Sequence, residues 1–322
     1  MAQPVISYPG AKWRFWPYIK PYIPRDIRDF REPFFGGGSI SLSIADDPEF
    51  SKLERIQVGD LAPEIWALWE GIKESAPNVV EIALARFKSF CPTHEEFIST
   101  PEDSPEYPEI EERAIQEGRE FWKWASTVDC STLSLPERAA RTYLVNKISF
   151  SGMGDSGSLS KDRFRAFHPD TATKRIILAQ PLLERMEIRN CSFEDTMKDV
   201  DPKSSFIFLD PPYYRQESSG LYGRGGDTHH GFPHDHFAEV TKQTNCKWFV
   251  TYDDSIKVRR MFRGKPVYGD KCYIKPFVIP GGYTMAQRNS QDALAGEELF
   301  IANYNILDSA DSSDEMSIDD LL

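Results

Sequence analysis

Apolar residues along the chain follow two patterns that predict alternating strands and helices. Short apolar runs that end in glycine or an acidic residue predict buried strands, and they lie at 31–35, 54–60, 186–193, 204–210, 246–253, 271–279 and 297–305. Stretches with apolar residues every three or four positions predict helices, at 40–47, 61–74, 234–244 and 255–262. This alternation is typical of an α/β fold with a doubly wound sheet.

The segment 78–173 interrupts this alternation. Its helical periodicity lies at 79–90, 111–126 and 135–150, whereas 151–170 is rich in Gly, Ser and basic residues and predicts a loop or a small hairpin. We therefore predict a discontinuous sheet domain (1–77 and 174–307), an inserted, mostly helical domain (78–173) and an acidic, disordered tail (308–322).

Charge is distributed unevenly, which changes what the net charge of −12 implies. The tail at 308–322 holds six acids and no base, and 94–120 holds ten acids and two bases. In contrast, 138–175 holds eight bases and three acids, and 256–275 holds seven bases and one acid. Because the local field decides whether phosphates are attracted, the acidic total does not exclude a nucleic-acid substrate.

The cysteines and histidines do not form a recognisable framework. Five widely spaced cysteines without a C-x-x-C pair predict neither disulfides nor a cysteine zinc site. The histidines at 229, 230, 234 and 236 lack the spacing of a fixed metal site, and we expect His234 and Asp235 to begin a helix with Asp235 as its cap. With no apolar run of about 18 residues and no apolar signal core, a cytoplasmic protein without a membrane span or a metal is expected.

A glycine-rich turn follows the first predicted strand. Gly36, Gly37 and Gly38 lie between that strand and a helix that Ser39 opens, where free N–H groups can meet a ligand. Asp60 ends the next strand and is suitably placed to hold a ribose hydroxyl pair. The turn lacks the G-x-G-x-x-G spacing of a dinucleotide site, which favours S-adenosylmethionine (SAM) over NAD.

A second motif lies at the end of the buried run 204–210. Asp210, Pro211, Pro212 and Tyr213 place an acid at the carboxyl end of a strand, where ligands bind in α/β folds. The prolines remove two backbone donors and leave carbonyl acceptors. Asp210 and the Pro211 carbonyl can accept both hydrogens of an amino group, and Tyr213 can stack on a planar ring. The motif suits an aromatic amine held in line with a methyl donor.

The order of these motifs resembles the Dam-like class of adenine-specific DNA methyltransferases, in their α arrangement. The motifs are Y-P-G-A-K at 8–12, E-P-F-F-G-G-G-S at 32–39, V-G-D at 58–60, an insert, and D-P-P-Y at 210–213. The resemblance covers about residues 5 to 305. It implies a Rossmann-like, SAM-dependent methyltransferase sheet with an inserted DNA-recognition domain, and methyl transfer to the 6-amino group of a flipped adenine without a covalent enzyme intermediate.

The resemblance also implies roles for individual residues. The catalytic motif is matched in full by Asp210, Pro211, Pro212 and Tyr213. The implied cofactor contacts are Tyr8, Lys12, Phe34, Gly36, Gly38, Ser39, Asp60, Phe193 and Asp210. Tyr8 is a mild departure, because the family usually has tryptophan or another aromatic residue there.

Within the insert, residues 146–152 resemble the segment L-N-R-x-x-Y-N-G that begins the family's DNA-recognising hairpin. Phe150 and Ser151 replace its tyrosine and asparagine, and Asp155 stands where an arginine would read guanine. A DNA target is therefore implied, but not the sequence GATC. The implied DNA contacts are Asn146, Lys147, Phe150, Ser151, Lys161, Arg163 and Arg165. Lys161, Arg163, Arg165 and His168 are either base readers or phosphate contacts and solvated residues.

Two alternatives remain open at this point. One is an RNA adenine methyltransferase of the same fold, and the other is a non-catalytic module that binds DNA or a protein partner. The intact D-P-P-Y motif argues against the second. The expected partners are double-stranded DNA and a cognate restriction endonuclease.

Overall fold

The computed structural model of the chain describes residues 3–152, 154–214, 231–278 and 297–307. The strands in these ranges form one seven-stranded sheet: β1 (Asp29–Glu32), β2 (Arg55–Asp60), β3 (Met186–Asn190), β4 (Ser205–Leu209), β5 (Lys247–Asp253), β6 (Tyr273–Val278) and β7 (Glu297–Ala302). Their order across the sheet is β3-β2-β1-β4-β5-β7-β6. The first five are parallel, and β7 runs antiparallel to β5 and β6. The predicted α/β, doubly wound, Rossmann-like sheet is confirmed.

The same ranges contain α-helices on both faces of the sheet and in the insert. They are α1 (Trp16–Ile19), α2 (Ser39–Asp46), α3 (Pro63–Phe90), α4 (His94–Ser99), α5 (Tyr107–Thr127), α6 (Leu135–Ile148), α7 (Lys161–Arg165), α8 (Pro169–Ala172), α9 (Lys174–Leu183), α10 (Phe193–Met197), α11 (His234–Gln243) and α12 (Ile256–Met261). Short 3-10 turns lie at Trp13–Phe15, Lys20–Tyr22, Pro48–Phe50, Cys130–Thr132, Phe150–Gly152 and Gly154–Ser156.

The core lies on both faces of the sheet, because successive side chains of a strand point to opposite sides. Along β4, Phe206 and Phe208 join the core that contains the buried residues of α2, α3 and α6. Ile207 and Leu209 join a second core against α11 and α12. All four are fully buried, as expected for a central strand that is covered on both faces.

Some predicted element boundaries agree with the structure and others do not. The separate helices predicted at 61–74 and 79–90 correspond to the two segments of α3, which meet at a kink where Ser75 has non-helical backbone angles, two residues before Pro77. The segment 151–170, predicted as a loop or a small hairpin, contains α7, and the strand pairing among its described residues is a single bridge between Ser149 and Leu159. Pro233, rather than Asp235, is the N-cap of α11. Helix α9 was not predicted.

The described residues of the insert at 78–173 form helices joined by loops, with one isolated bridge between Ser149 and Leu159. Helix α6 packs along α3 so closely that a Cβ atom on Gly71 would lie 2.7 Å from the Cβ of Ala139. The division into two domains stays a prediction. Within the described ranges, no helix combines the length and apolar character that a membrane span requires. The predicted tail at 308–322 and most of a glycine-rich loop at 214–231 lie outside the described residues.

Candidate active site

The sequence motifs meet where the strand order reverses. Strands β1 and β4 are adjacent and parallel at the centre of the sheet, and the chain continues outward in opposite directions from them. The glycine-rich turn follows β1 and Asp210 follows β4, so both lie at the same carboxyl edge. Such a switch point opens a crevice in doubly wound sheets, and the two motifs form its walls.

Tyr8 packs directly on the glycine-rich turn. A Cβ atom on Gly36 would lie 2.6 Å from Tyr8 Cε1, and one on Gly37 would lie 2.7 Å from Tyr8 Cβ. Gly36 and Gly38 also have positive φ angles of +44° and +72°, which glycine adopts without steric cost. The Trp69 indole N–H donates to the Gly36 carbonyl at 2.8 Å. The turn is thereby held in one conformation before helix α2 begins.

Asp60 and Ser39 supply polar atoms beside this turn. The two carboxylate oxygens of Asp60 accept hydrogen bonds from the backbone N–H groups of Gly36 and Ala62, each at 2.8 Å. Burial raises the pKa of Asp60 to about 6, although these two hydrogen bonds act to lower it. The Ser39 hydroxyl is buried and has no hydrogen-bond partner among the described residues. It lies in the first turn of α2, where backbone N–H groups lack partners within the helix.

Two predicted cofactor residues form an aromatic wall. The rings of Phe34 and Phe193 stack with centroids 5.7 Å apart, and both contact Phe232 and Phe237. Phe193 opens α10 directly after β3, and Phe34 follows β1. An apolar wall next to polar groups at the switch point suits a ligand with a flat ring and a polar sugar.

Asp210 is fixed by two neighbours that hold its carboxylate in place. Lys12 Nζ lies 2.9 Å from both carboxylate oxygens, and the Thr251 hydroxyl donates to Oδ1 at 2.6 Å. The Asp210 side chain keeps 19% of its surface exposed. An immobilised, partly exposed carboxylate can accept a hydrogen bond from a substrate amine without reorganisation.

Lys12 is itself buried among acidic residues. Its ammonium group donates to the Gly10 carbonyl at 2.7 Å and lies 3.8 Å from Glu298 Oε1. Burial acts to lower the pKa of Lys12, but Asp210 and Glu298 outweigh burial and raise it, so the lysine stays charged. The described hydrogen bonds of Lys12 are to protein atoms; its predicted contact with a cofactor stays a prediction.

The other residues of the D-P-P-Y motif lie around Asp210. Pro211 is buried and Pro212 half-buried. Tyr213 is only 6% exposed, because its ring stacks on Tyr252 and Lys12 Nζ lies 4.9 Å from its centre. Stacking of Tyr213 on a substrate ring would require the ring to shift, and that role stays a prediction.

Comparison with known proteins agrees with this geometry. The sequence model of the D12 class of N6 adenine-specific DNA methyltransferases matches residues 8–271. The chain belongs to this class. It carries out methyl transfer to the 6-amino group of adenine in DNA, and its family requires a methyl donor. The predicted family, activity and enzyme class are confirmed.

Three curated relatives support the assignment at low identity. The type II methyltransferase M1.LlaDCHI of Lactococcus lactis subsp. cremoris is 22% identical over 81% of this chain and 76% of its own length. The type II methyltransferases M.MjaIII of Methanocaldococcus jannaschii and M.CviBI of Paramecium bursaria Chlorella virus NC1A are 21% and 23% identical, each over 66% of this chain and 69% of its own length.

The structure brings three of the predicted DNA contacts of this methyltransferase together, because Arg163 donates to the backbone carbonyls of Asn146 and Lys147. Asn146 is buried and bridges Ser7 N, Ser7 O and the Gly152 carbonyl at 2.7–2.9 Å. Lys161 pairs with Glu111 at 2.9 Å, and Arg165 with Glu102 at 3.2 Å.

The remaining predicted contacts differ in their exposure. Phe150 is 60% exposed, and Lys147 and Arg163 line a cavity. The side chain of Ser151 lies outside the described part of the chain.

Sequence reasoning missed three side chains around the Asp210 carboxylate. Thr251 binds Asp210 directly, Glu298 faces Lys12, and Glu32 is buried at the end of β1. The available signal was a polar residue inside an otherwise apolar strand, since burying such a group is costly without a partner. A buried polar residue in such a strand is expected to have a hydrogen-bond partner, but the sequence does not identify that partner.

Proposed function

We propose that the chain transfers the methyl group of SAM to N6 of adenine in double-stranded DNA, with the target base turned out of the helix. The observation that carries the proposal is the Asp210 carboxylate, which Lys12 and Thr251 immobilise beside the glycine-rich turn. An adenine amino group is paired and stacked inside a duplex, so the base must leave it to reach a carboxylate at the sheet edge.

The residues around the glycine-rich turn fit SAM. The buried Ser39 hydroxyl at the start of α2 suits the carboxylate of an amino acid. Asp60 suits a ribose hydroxyl pair, and Phe34 with Phe193 suits a purine ring. When bound, SAM supplies an electrophilic methyl group. Tyr8 packs against Gly36 and Gly37 and holds the turn in position.

The chain's own residues orient the amine. Asp210 and the Pro211 carbonyl accept its two hydrogens, which increases electron density on the nitrogen and aims it at the methyl group. Lys12 pairs with the Asp210 carboxylate, and the Thr251 hydroxyl donates to it, so that its orientation is fixed. Tyr213 is proposed as the ring that stacks on the flipped base.

The names of the relatives suggest a biological partner. All three are called type II methyltransferases, which favours a chain that protects the site of a cognate restriction endonuclease. The DNA sequence recognised would then be the sequence that this endonuclease cleaves.

The test is methylation of defined nucleic acids with radiolabelled SAM. The wild-type protein is expected to label duplex DNA at one adenine per site, which sequencing of the product would locate. The same sequence as single-stranded DNA and as RNA serves as the comparison. Equal or stronger labelling of RNA would overturn the DNA assignment.

The matched variant is Asp210→Asn, which keeps the shape of the side chain but removes its charge. We expect kcat to fall roughly 100-fold or more, the scale seen when a preorganised polar group is lost from an active site. DNA binding should persist, because the carboxylate faces an amine rather than phosphates. Asp103→Asn, at an exposed position in the insert, is the control. Near-normal turnover of Asp210→Asn would show that the motif is not the catalytic site.

A further inference from the structure

An open cavity of about 320 Å³ lies between α6, α7, α8 and α9. Four basic side chains line it: Lys147 from α6, Arg163 from α7, His168 from the turn before α8, and Arg175 from α9. The rest of the wall is Phe167 with small side chains. Its volume is at the lower end of the range for ligand sites, about 300–1,000 Å³.

The basic residues of this cavity differ from their neighbours in lacking acidic partners. Elsewhere in 138–175, Arg138 pairs with Glu64, Arg141 with Asp155, Lys161 with Glu111 and Arg165 with Glu102, at distances of 2.5–3.2 Å.

Among the described residues, no ion pair involves Lys147, Arg163 or Arg175. Arg163 instead donates to the carbonyls of Lys147 and Asn146 and to the Ser7 hydroxyl, at 3.1–3.2 Å. Arg175 donates to the Pro4 carbonyl at 3.3 Å. Three side-chain cations therefore share one cavity without neutralisation.

The field inside the cavity acts on Lys147. Burial, together with the nearby charges of Arg175 and Arg163, lowers the pKa of Lys147 to about 8. The ring of Tyr143, which is also on α6, lies 5.2 Å from Lys147 Nζ, and His168 lines the cavity from the turn before α8. None of these groups offers a negative charge, so an anion in the cavity would stabilise the protonated lysine.

The N-terminal segment 7–12 contacts both residues of the cavity and residues of the active site. Arg163 and Asn146 bind Ser7, and the next residue, Tyr8, packs on the glycine-rich turn. Four residues later, Lys12 binds Asp210. A group in this cavity therefore lies on the part of the insert that adjoins the catalytic crevice, where a bound duplex would pass.

We propose that this cavity binds one phosphate group of the DNA backbone, with Lys147 and Arg163 as inner donors and Arg175 and His168 at its mouth. The inference rests on the proposed function, because it takes DNA as the substrate. Guanidinium groups match the geometry of phosphate oxygens, and a lysine adds a point charge.

A consequence of the proposal is proton uptake on binding. The phosphate raises the pKa of Lys147 above its value of about 8 in the free protein. At pH 8 and above, a fraction of the free protein must then gain a proton to form the complex. DNA affinity is thus expected to fall as the pH rises from 8, with at most one proton per complex.

The first experiment measures the salt dependence of DNA binding. Fluorescence anisotropy with a labelled duplex gives log Kd against log salt for the wild type and for Lys147→Met. Loss of one phosphate contact should reduce the slope by about 0.9. Lys88→Met removes the same charge from an exposed position on α3 outside the cavity and should leave the slope unchanged. An unchanged slope in Lys147→Met, with normal thermal unfolding, would overturn the proposal.

The second experiment compares pH 7.5 with pH 9.5. Wild-type affinity should fall by up to about tenfold per pH unit above the free pKa, whereas Lys147→Arg keeps its charge and should lose much less. Equal losses in the two proteins would contradict a role for Lys147 protonation in the complex.

The third experiment separates DNA from a free phosphate ligand. Calorimetry with inorganic phosphate and pyrophosphate should give no binding at millimolar concentration. Tight binding of either anion that Lys147→Met abolishes, with an unchanged DNA salt slope, would assign the cavity to a small molecule instead. The proposed function fails separately: a wild-type chain that binds DNA with this slope but methylates no adenine would leave the cavity assignment intact.

Discussion

At the scale of single residues, the orientation of the Asp210 carboxylate, which we propose as catalytic, depends on a threonine. Thr251 is buried in β5, and its hydroxyl donates to Asp210 Oδ1 at 2.6 Å. Its position in β5 pairs with Phe300 of β7, so the sheet fixes the direction of this donor. Thr251 is thus a positioning residue that acts through Asp210.

We expect Thr251→Val to reduce kcat by roughly 10- to 100-fold, because a hydrogen bond to a charged group contributes about 1.5–3 kcal/mol. The KM for DNA should change little. Thr251→Ser keeps the hydroxyl and should recover most of the rate. Steady-state kinetics of the three proteins is the measurement, and equal losses in the Val and Ser variants would indicate a packing role instead.

Glu32 gives a pH dependence to folding. It is 3% exposed, and burial raises its pKa from 4.5 to about 8; Ser41 hydrogen bonds lower it, and the nearby Asp210 and Asp60 raise it. The folded state therefore holds a proton that the unfolded chain loses above pH 4.5. This contribution favours folding at low pH and is lost as the pH rises from about 4.5 to about 8.

The corresponding variant is Glu32→Gln, which cannot ionise and keeps an acceptor for Ser41. Between pH 6 and pH 8, the unfolding free energy of the wild type should fall more steeply with pH than that of the variant. The difference in slope should reach up to about 1.4 kcal/mol per pH unit. Urea unfolding at several pH values measures the difference. Parallel curves for the two proteins would show that Glu32 is ionised in the folded state at pH 6.

The sequence was informative for residues whose role follows from chain position alone. Asp210 and Asp60 each end a strand and glycines follow β1, so parallel strands bring these groups to one edge. The pairing of Lys12 with Asp210, 198 positions apart, depends on how the N-terminal segment crosses the sheet. The same holds for Thr251 and Glu298, and no spacing rule specifies such long-range contacts.

At the scale of elements, α3 and α6 are in close contact. Gly71 on α3 faces Ala139 on α6, and a Cβ atom there would lie 2.7 Å from Ala139 Cβ and 3.2 Å from the Leu135 carbonyl. Both neighbours belong to a helix and cannot yield like a flexible side chain. The glycine therefore sets the separation of the two helices.

We predict that Gly71→Ala destabilises the fold by about 1–3 kcal/mol, the usual cost of overpacking, despite the better helix propensity of alanine. Thermal unfolding measures this change. The double variant Gly71→Ala/Ala139→Gly should recover part of the loss, because it removes the closer of the two contacts. A Gly71→Ala protein as stable as the wild type would mean that the helices separate without cost.

Element type was easier to predict than element boundaries. The apolar runs identified the strands of the sheet because buried central strands are continuous in hydrophobicity. The helical periodicity at 61–74 and 79–90 predicted two helices, and the structure joins them as α3 with a kink at Ser75. The glycine- and serine-rich segment 151–170 concealed α7, a helix of five residues, which is too short to show periodicity.

At the scale of the whole molecule, acidic and basic regions are separated along the chain. The six acids of 308–322 follow β7, and bases cluster in 138–175. The described fold extends to the start of the tail, because Ile306 is fully buried and Tyr304 donates to the Tyr22 carbonyl at 2.8 Å. A truncation that spares the fold must therefore follow Leu307.

We predict that removal of 308–322 leaves methylation and thermal stability unchanged and tightens DNA binding at low salt. The physical reason is that six carboxylates no longer compete with phosphates for the basic segment 138–175. The gain should disappear as salt rises and the Debye length falls from about 10 Å at 0.1 M to about 3 Å at 1 M. Anisotropy titrations over this salt range are the measurement.

Two further proteins distinguish charge from other effects of the tail. A full-length chain with Asn and Gln in place of the six acids keeps the length of the tail and should bind DNA as tightly as the truncated chain does. A chain truncated after Asn305 also loses the buried Ile306 side chain. Its free energy of unfolding should fall by about 2–5 kcal/mol, the usual loss for a large buried aliphatic group, and it should therefore unfold at a lower temperature. If the neutralised tail weakens DNA binding as the native tail does, its effect is steric and the electrostatic account fails.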